Sequence, residues 1–155
     1  MGEKEMKLDE DAGLPLVFRE MQRMHRSRLQ RVLNEYGLYM GQPMILFALE
    51  RIPDATQKEL ADALHISSAT ITTSLQRMEK AGLLTRATDP RDTRCNHIVL
   101  TDKGRHVSSE CHTAFAHMDE VMFSGFTQQE KDGLNRYLRK MIDNLRRLDG
   151  EWPDL

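Results

Sequence analysis

Residues 56–104 read TQKELADALHISSATITTSLQRMEKAGLLTRATDPRDTRCNHIVLTDKG, and this stretch decides the fold. Thr56-Gln57-Lys58-Glu59 fits a capping box, in which an N-cap hydroxyl and a Glu three residues on satisfy each other's free backbone N–H groups. Leu60, Ala61 and Leu64 then fall on one face at helical spacing. His65-Ile66 breaks the run, and Ser67 or Ser68 offers a second N-cap. The spacing of Ile71, Leu75 and Met78 predicts a second helix with these three buried. It should end at Ala81, with Gly82 as the left-handed residue beyond it.

The other face of that second helix carries Ser68, Ala69, Thr72, Thr73 and Gln76, then Arg77 and Lys80. Ser and Thr are mediocre helix formers, so solvent alone does not favour them there. Short hydroxyl and amide side chains suit a helix lying in a major groove, where they reach phosphates and base edges. A small polar helix packed against another protein helix is the alternative, and this face alone does not separate the two. Residues 83–88 and 96–100 are short, apolar-rich and β-capable. Between them runs Asp89-Pro90-Arg91-Asp92-Thr93-Arg94, preceded by Arg86. An exposed hairpin tip with Arg suits a narrow minor groove, whose negative potential attracts guanidinium. A solvated loop, self-neutralised by Asp89 and Asp92, is the other reading. Helix, turn, helix and hairpin together have the layout of a winged helix-turn-helix. The fold class expected is mostly α with a small antiparallel β-wing, flanked by long dimerisation helices.

The ordered set of Thr56-Gln57-Lys58-Glu59-Leu60-Ala61, the helix from Ser67 to Gly82, Gly82-Leu83-Leu84, Asp89-Pro90-Arg91-Asp92-Thr93-Arg94 and Leu100-Thr101-Asp102-Lys103-Gly104 resembles the MarR family of bacterial transcription regulators. The loop matches that family's Asp-x-Arg-Asp-x-Arg wing signature. The resemblance extends to the flanks, one long helix before the module and two after it. It implies a DNA-binding regulator, read as a repressor, that binds an inverted repeat as a homodimer through interlocked terminal helices. The candidate DNA contacts are Ser67, Ser68, Thr70, Thr72, Thr73, Gln76, Arg77, Lys80, Arg86, Arg91 and Arg94. By resemblance, Asp89 and Arg91 pair to hold the wing in shape while Arg94 reaches the DNA. The resemblance also implies a short strand at the Ile52-Pro53-Asp54 turn, which would close a three-stranded wing sheet.

Composition is compatible with this reading without proposing it. At 155 residues, 39% hydrophobic and 30% charged, the chain has the make-up of one soluble globular domain or subunit. Net charge is −2, and residues 56–104 hold seven Lys/Arg against six Asp/Glu, so the module is barely basic. Modest non-specific affinity follows, because that affinity comes mainly from phosphate neutralisation. No apolar run approaches a membrane span and the polar N-terminus shows no secretory signal, so a cytoplasmic location is expected. Cys95 and Cys111 are read as structural, and no disulfide is expected of them. Peroxide-sensing relatives carry a Cys near the N-terminal helix, where this chain has none.

Residues 1–12 are charged and without period, and are read as disordered. Residues 13–37 form the first dimerisation helix, with Pro15 in its first turn and a stripe of Val17, Met21, Met24, Arg28, Val32 and Tyr36, widened by Leu29 and Leu33. Arg19, Arg23, Arg26, Arg28 and Arg31 make one side of it basic, either solvated or facing acids of a partner. Residues 38–104 form the DNA-binding domain, beginning with a helix opened by Gly41-Gln42-Pro43 that buries Ile45, Leu46, Ala48 and Leu49. Residues 105–150 supply two C-terminal dimerisation helices. Thr101 caps the first, whose stripe is Val107, Cys111, Ala114, Phe115, Met118, Val121 and Met122. Thr127-Gln128-Gln129-Glu130 caps the second, whose stripe is Leu134, Leu138, Met141, Ile142, Leu145 and Leu148. Apolar faces without a partner in the chain point to a subunit interface.

Rival sites are weaker. His106, His112 and His117 do not share one helical face, His65 and His97 join no ligand pattern, and no metal or cofactor is expected. Ten methionines mean adaptable packing or a pliable pocket. Met21, Met24, Met40, Met44 and Met118 mark a candidate effector pocket, where relatives bind small aromatic or phenolic compounds. No phosphate loop, nucleophile elbow or spaced acid pair supports an enzyme.

Overall fold

Each helix begins and ends where local chemistry permits. In the computed structural model, which describes residues 12–88 and 96–147, Pro15 lies in the first turn of α1 (Leu14–Glu35). Gly37 at φ 66° turns the chain away after it. Gly41, at φ 92°, opens α2 (Gln42–Arg51). α3 (Gln57–Leu64) starts on the Thr56–Glu59 capping box. α4 (Ser68–Lys80) starts on Ser67, whose hydroxyl accepts from the Thr70 N–H. Strands β1 (Leu84–Thr88) and β2 (Asn96–Leu100) pair antiparallel, Leu84 opposite Leu100 and Thr88 opposite Asn96. α5 (Asp102–Met122) and α6 (Gln128–Arg146) complete the order. Among the described residues no helix is long and apolar enough to cross a membrane.

The chain divides into two units, one running to Ala116 and one from His117. The first holds one apolar core. Leu33 and Leu38 enter it from the end of α1, Ile45, Leu46 and Leu49 from α2, and Leu60 from α3. Ile71, Leu75 and Met78 enter from α4, and Leu84, Ile98 and Leu100 from the sheet. The first half of α5 closes it with Val107 and Cys111. The predicted burial of Ile45, Leu46, Ala48 and Leu49, and of Ile71, Leu75 and Met78, is what the structure shows. α5 is tied down by polar contacts as well. The Tyr36 hydroxyl donates to Glu110 (3.1 Å), and the His112 ring stacks on Phe47 with its Nε2 2.9 Å from Glu50.

The sheet differs from the expectation in one respect. Among the described residues it has two strands, and the third is reduced to a single bridge between Thr56 and His97. The Ile98 N–H donates to the Ala55 carbonyl at 2.9 Å, but the pairing goes no further. Pro53 has no N–H to offer a ladder. Asp54, at φ 56°, turns the backbone out of the extended region immediately before. His97 Nδ1 instead donates to the Asp54 carbonyl.

In the second unit, Phe123 and Phe126 pack edge to face around a turn made at Gly125 (φ 81°). Thr127 and Glu130 form the second predicted capping box. α6 has no buried residue, although its stripe includes Ile142 and Leu145, 48% and 63% exposed. The predicted continuation through Leu148 to Gly150 lies outside the described residues, as do residues 1–11.

Candidate nucleic-acid interface

α4 is held from below and from one side. Ile71, Leu75 and Met78 anchor its inner face, all essentially inaccessible. Its N-terminus is fixed by Ser67, whose Oγ accepts from Thr70 N (3.2 Å) and lies 2.9 Å from Thr70 Oγ1. Its C-terminus is fixed by Gly82 at φ 71° and by a hydrogen bond from Leu83 N to Met78 O (3.0 Å). Before it, the Thr56 backbone N–H and hydroxyl both donate to Glu59, holding that carboxyl below the usual carboxylate range. His65, in the left-handed conformation at φ 53°, makes the turn between α3 and α4.

The outer face of α4 presents Ser68, Ala69, Thr73, Gln76, Arg77 and Lys80, all exposed. Their commitments differ. Thr72 is half-buried: its Oγ1 donates to Ser68 O (2.6 Å) and accepts from Gln57 Nε2 (2.7 Å), which bolts α3 to α4. Its hydroxyl is thus spent inside the protein. Thr73 Oγ1 donates back to Ala69 O at 3.1 Å. Ser67 and Thr70 are occupied with the cap. Ser68, Gln76 and Lys80 have no side-chain hydrogen bond among the described residues. Arg77 is held differently, its guanidinium lying 5.2 Å from the centroid of the Tyr39 ring. Arg86 is engaged: its Nε donates to Glu79 Oε2 (3.2 Å), tying β1 to α4. Asp89, Arg91 and Arg94 lie outside the described residues, beyond the Thr88–Asn96 rung.

Two residues of this region have roles that the sequence does not signal. Gln57 carried no signal beyond its place in the capping box, and Tyr39 lies outside the helix-turn-helix altogether. Of the candidate pocket methionines, Met40 and Met44 line different clefts among the described residues. Met40 joins Arg23, Arg26, Ser27, Gln30 and Tyr39 around a cleft of about 460 Å³. Met44 joins Phe47, Arg51 and Leu64 around another of about 260 Å³. Met21 and Met24 are each 41% exposed on α1, and Met118 belongs to the second unit. Among the described residues no group of three His, Cys, Asp or Glu is placed to hold a metal ion.

Comparison with known proteins agrees with this geometry. Residues 36–94 match the MarR family model. The chain is 28% identical over 129 residues to the HTH-type transcriptional regulator YwaE of Bacillus subtilis, covering 83% of this chain and 75% of that protein. It superposes on a crystal structure of MarR with a TM-score of 0.69 at 26% identity, covering 95% of this chain and all of the other. It has the fold of Staphylococcus aureus MepR, solved as a MepR–DNA complex, with a TM-score of 0.72 at 22% identity over 88% of this chain and 99% of that one. Residues 36–94 thus match the MarR family, and the relatives and solved structures that the chain resembles are transcription regulators.

Proposed function

We propose that the protein is a sequence-specific repressor that binds an inverted-repeat operator as a homodimer and is released by a small aromatic or phenolic effector. The observation that carries the reading is the outer face of α4. It is rigidly seated, yet leaves Ser68, Gln76 and Lys80 uncommitted among the described residues, with Arg77 beside them. A helix braced by the Gln57–Thr72 bond presents those groups at fixed positions, which base-edge recognition requires. MepR, whose fold this chain shares, has been crystallised on DNA. Ser68, Thr73 and Gln76 would read bases, while Ser67, Lys80 and Arg77 meet phosphates. Thr70 and Thr72 support the helix and offer methyl contacts. Arg86 would act through its bond to Glu79, shaping the base of the wing, with Asp89 and Arg91 bracing its tip and Arg94 entering the minor groove.

Residues 13–37 and 105–150 would form the dimer, and residues 38–104 the DNA-binding domain. Support for this comes from the stripes left open: Val17, Met21 and Met24 on α1, and the whole of α6. The effector would be sought in the cleft of Met40, where Arg26 favours an acid or a phenolate and Arg23 is already paired with Glu20. The test is enrichment of a random-sequence duplex library by the purified protein, followed by footprinting. Two protected half-sites related by inversion, about 34–36 Å apart, are expected. Failure to enrich any sequence would favour a winged-helix module that binds protein instead.

A further inference from the structure

Tyr39 is 59% exposed in the connection between α1 and α2, yet its backbone is tied on every side. The Tyr39 N–H donates to Gln42 Oε1 (2.9 Å), and Gln42 itself is buried. The Gln30 side chain clamps the residues either side, donating to Leu38 O (3.0 Å) and accepting from Met40 N (3.0 Å). Leu38, 2% exposed, anchors the loop in the core. The loop that carries the ring is thus held in place, and the Arg77 guanidinium lies over the ring, 5.2 Å from its centroid, within the range of a cation–π contact.

The manner of holding matters. Arg86, Arg105 and Arg146 are each held by a carboxylate, Glu79, Asp102 and Asp143 respectively. A carboxylate orients a guanidinium and also cancels its charge. Arg77 has no carboxylate partner among the described residues, and the ring orients it while leaving its full charge. Its N–H groups make no hydrogen bond among the described residues, so they remain available to an anion while the guanidinium lies over the Tyr39 ring. It stands in the last turn of α4, on the outer face, and shares a cleft with Tyr39 and Lys80.

We propose that Tyr39, outside the helix-turn-helix, is a positioning residue for DNA binding: its ring fixes Arg77 against the backbone phosphate at the C-terminal edge of the recognition helix. This rests on the DNA-binding reading of α4. The experiment uses the full chain as wild type, Tyr39→Phe, Tyr39→Leu, Arg77→Ala and the double variant Tyr39→Leu/Arg77→Ala. Affinity is measured at several salt concentrations on a duplex enriched from a random library by the wild type.

Tyr39→Phe should bind as wild type does. Tyr39→Leu, which keeps the apolar cover but not the π face, should weaken binding about two- to fivefold. Arg77→Ala should lower the salt slope by about one phosphate contact per subunit, and Tyr39→Leu should leave that slope in place. The double variant should bind no worse than Arg77→Ala alone. Additive losses, or a Tyr39→Phe loss equal to that of Tyr39→Leu, would mean that Tyr39 touches DNA itself and would overturn the positioning role. A wild type that enriches no duplex overturns the DNA reading and this inference with it, whereas additive losses leave the DNA reading standing. The stack also has its own signature. In the free protein the Arg77 side-chain Nε–H resonance should be ring-current shifted in wild type and Tyr39→Phe but not in Tyr39→Leu, and its absence from wild type would contradict the geometry.

Discussion

Hydroxyls of one type on one helix have taken different jobs. Thr72 spends its Oγ1 on Gln57 and on Ser68 O, while Ser68, one turn earlier, keeps its own uncommitted among the described residues. Thr72→Val should therefore act on stability, costing about 0.5–1.5 kcal/mol in urea unfolding, the net worth of a typical hydrogen bond. Gln57→Ala should cost a similar amount and the pair no more than either alone. A fully additive double variant would show that the two do not interact. Cys111 offers a second residue-scale test. Burial pushes its thiol up to about 11. Only the thiolate reacts, so in a Cys95→Ala background the folded protein at neutral pH should resist iodoacetamide until it unfolds. Prompt labelling would contradict the burial. Helical period alone predicts which way Ser68 and Gln76 face, because that is a property of neighbours in sequence. It does not say that Thr72 and Arg86 are already engaged, since their partners Gln57 and Glu79 are brought to them by the packing of α3 and of β1. Tyr39 was invisible for the same reason.

At the scale of elements, caps and close approaches were differently legible. Both capping boxes could be read directly, because a box is a four-residue pattern whose partners are local. Thr56→Ala should cost about 1 kcal/mol at neutral pH, the usual loss for an N-cap hydroxyl. The hydrogen bonds from Thr56 lower the Glu59 pKa in the folded state. Stability from that bond is therefore full above the ordinary carboxylate range and is lost as pH falls through and below it. The gap between wild type and Thr56→Ala should narrow over that window; a gap that widens on acidification would contradict the bond. Gly104 was not legible as a packing site. It is buried at the start of α5, where a Cβ would come within 1.9 Å of the Leu83 carbonyl oxygen. The backbone there also receives Thr101 N at 3.1 Å, so it is not free to withdraw. Gly104→Ala should cost about 1–3 kcal/mol or more through overpacking, read by thermal unfolding. The missing third strand has a local cause too, since Pro53 and the turn at Asp54 are in the sequence, but their effect on pairing shows only beside β2.

For the whole molecule, the stripes of α1, α5 and α6 were legible as apolar faces, but the chain alone does not say what covers them. α6 is capped and strongly amphipathic yet buries no residue, and most of a helix's stability in a protein comes from packing such a face. In the proposed homodimer, Leu138→Asp would place an unpaired carboxylate in the interface and should yield monomer or aggregate. Sedimentation at micromolar concentration checks this, and a monomeric wild type with full operator affinity would sink the dimer. Such a dimer presents two copies of α4, hence two of Gln76, to one operator. The most direct test of the central claim is the affinity of wild type and Gln76→Ala for the enriched operator and for a scrambled duplex of equal length. Gln76→Ala should lose about 1–3 kcal/mol of discrimination for each half-site, with the scrambled duplex nearly unaffected. Equal losses on the two duplexes, or no loss on either, would contradict that claim.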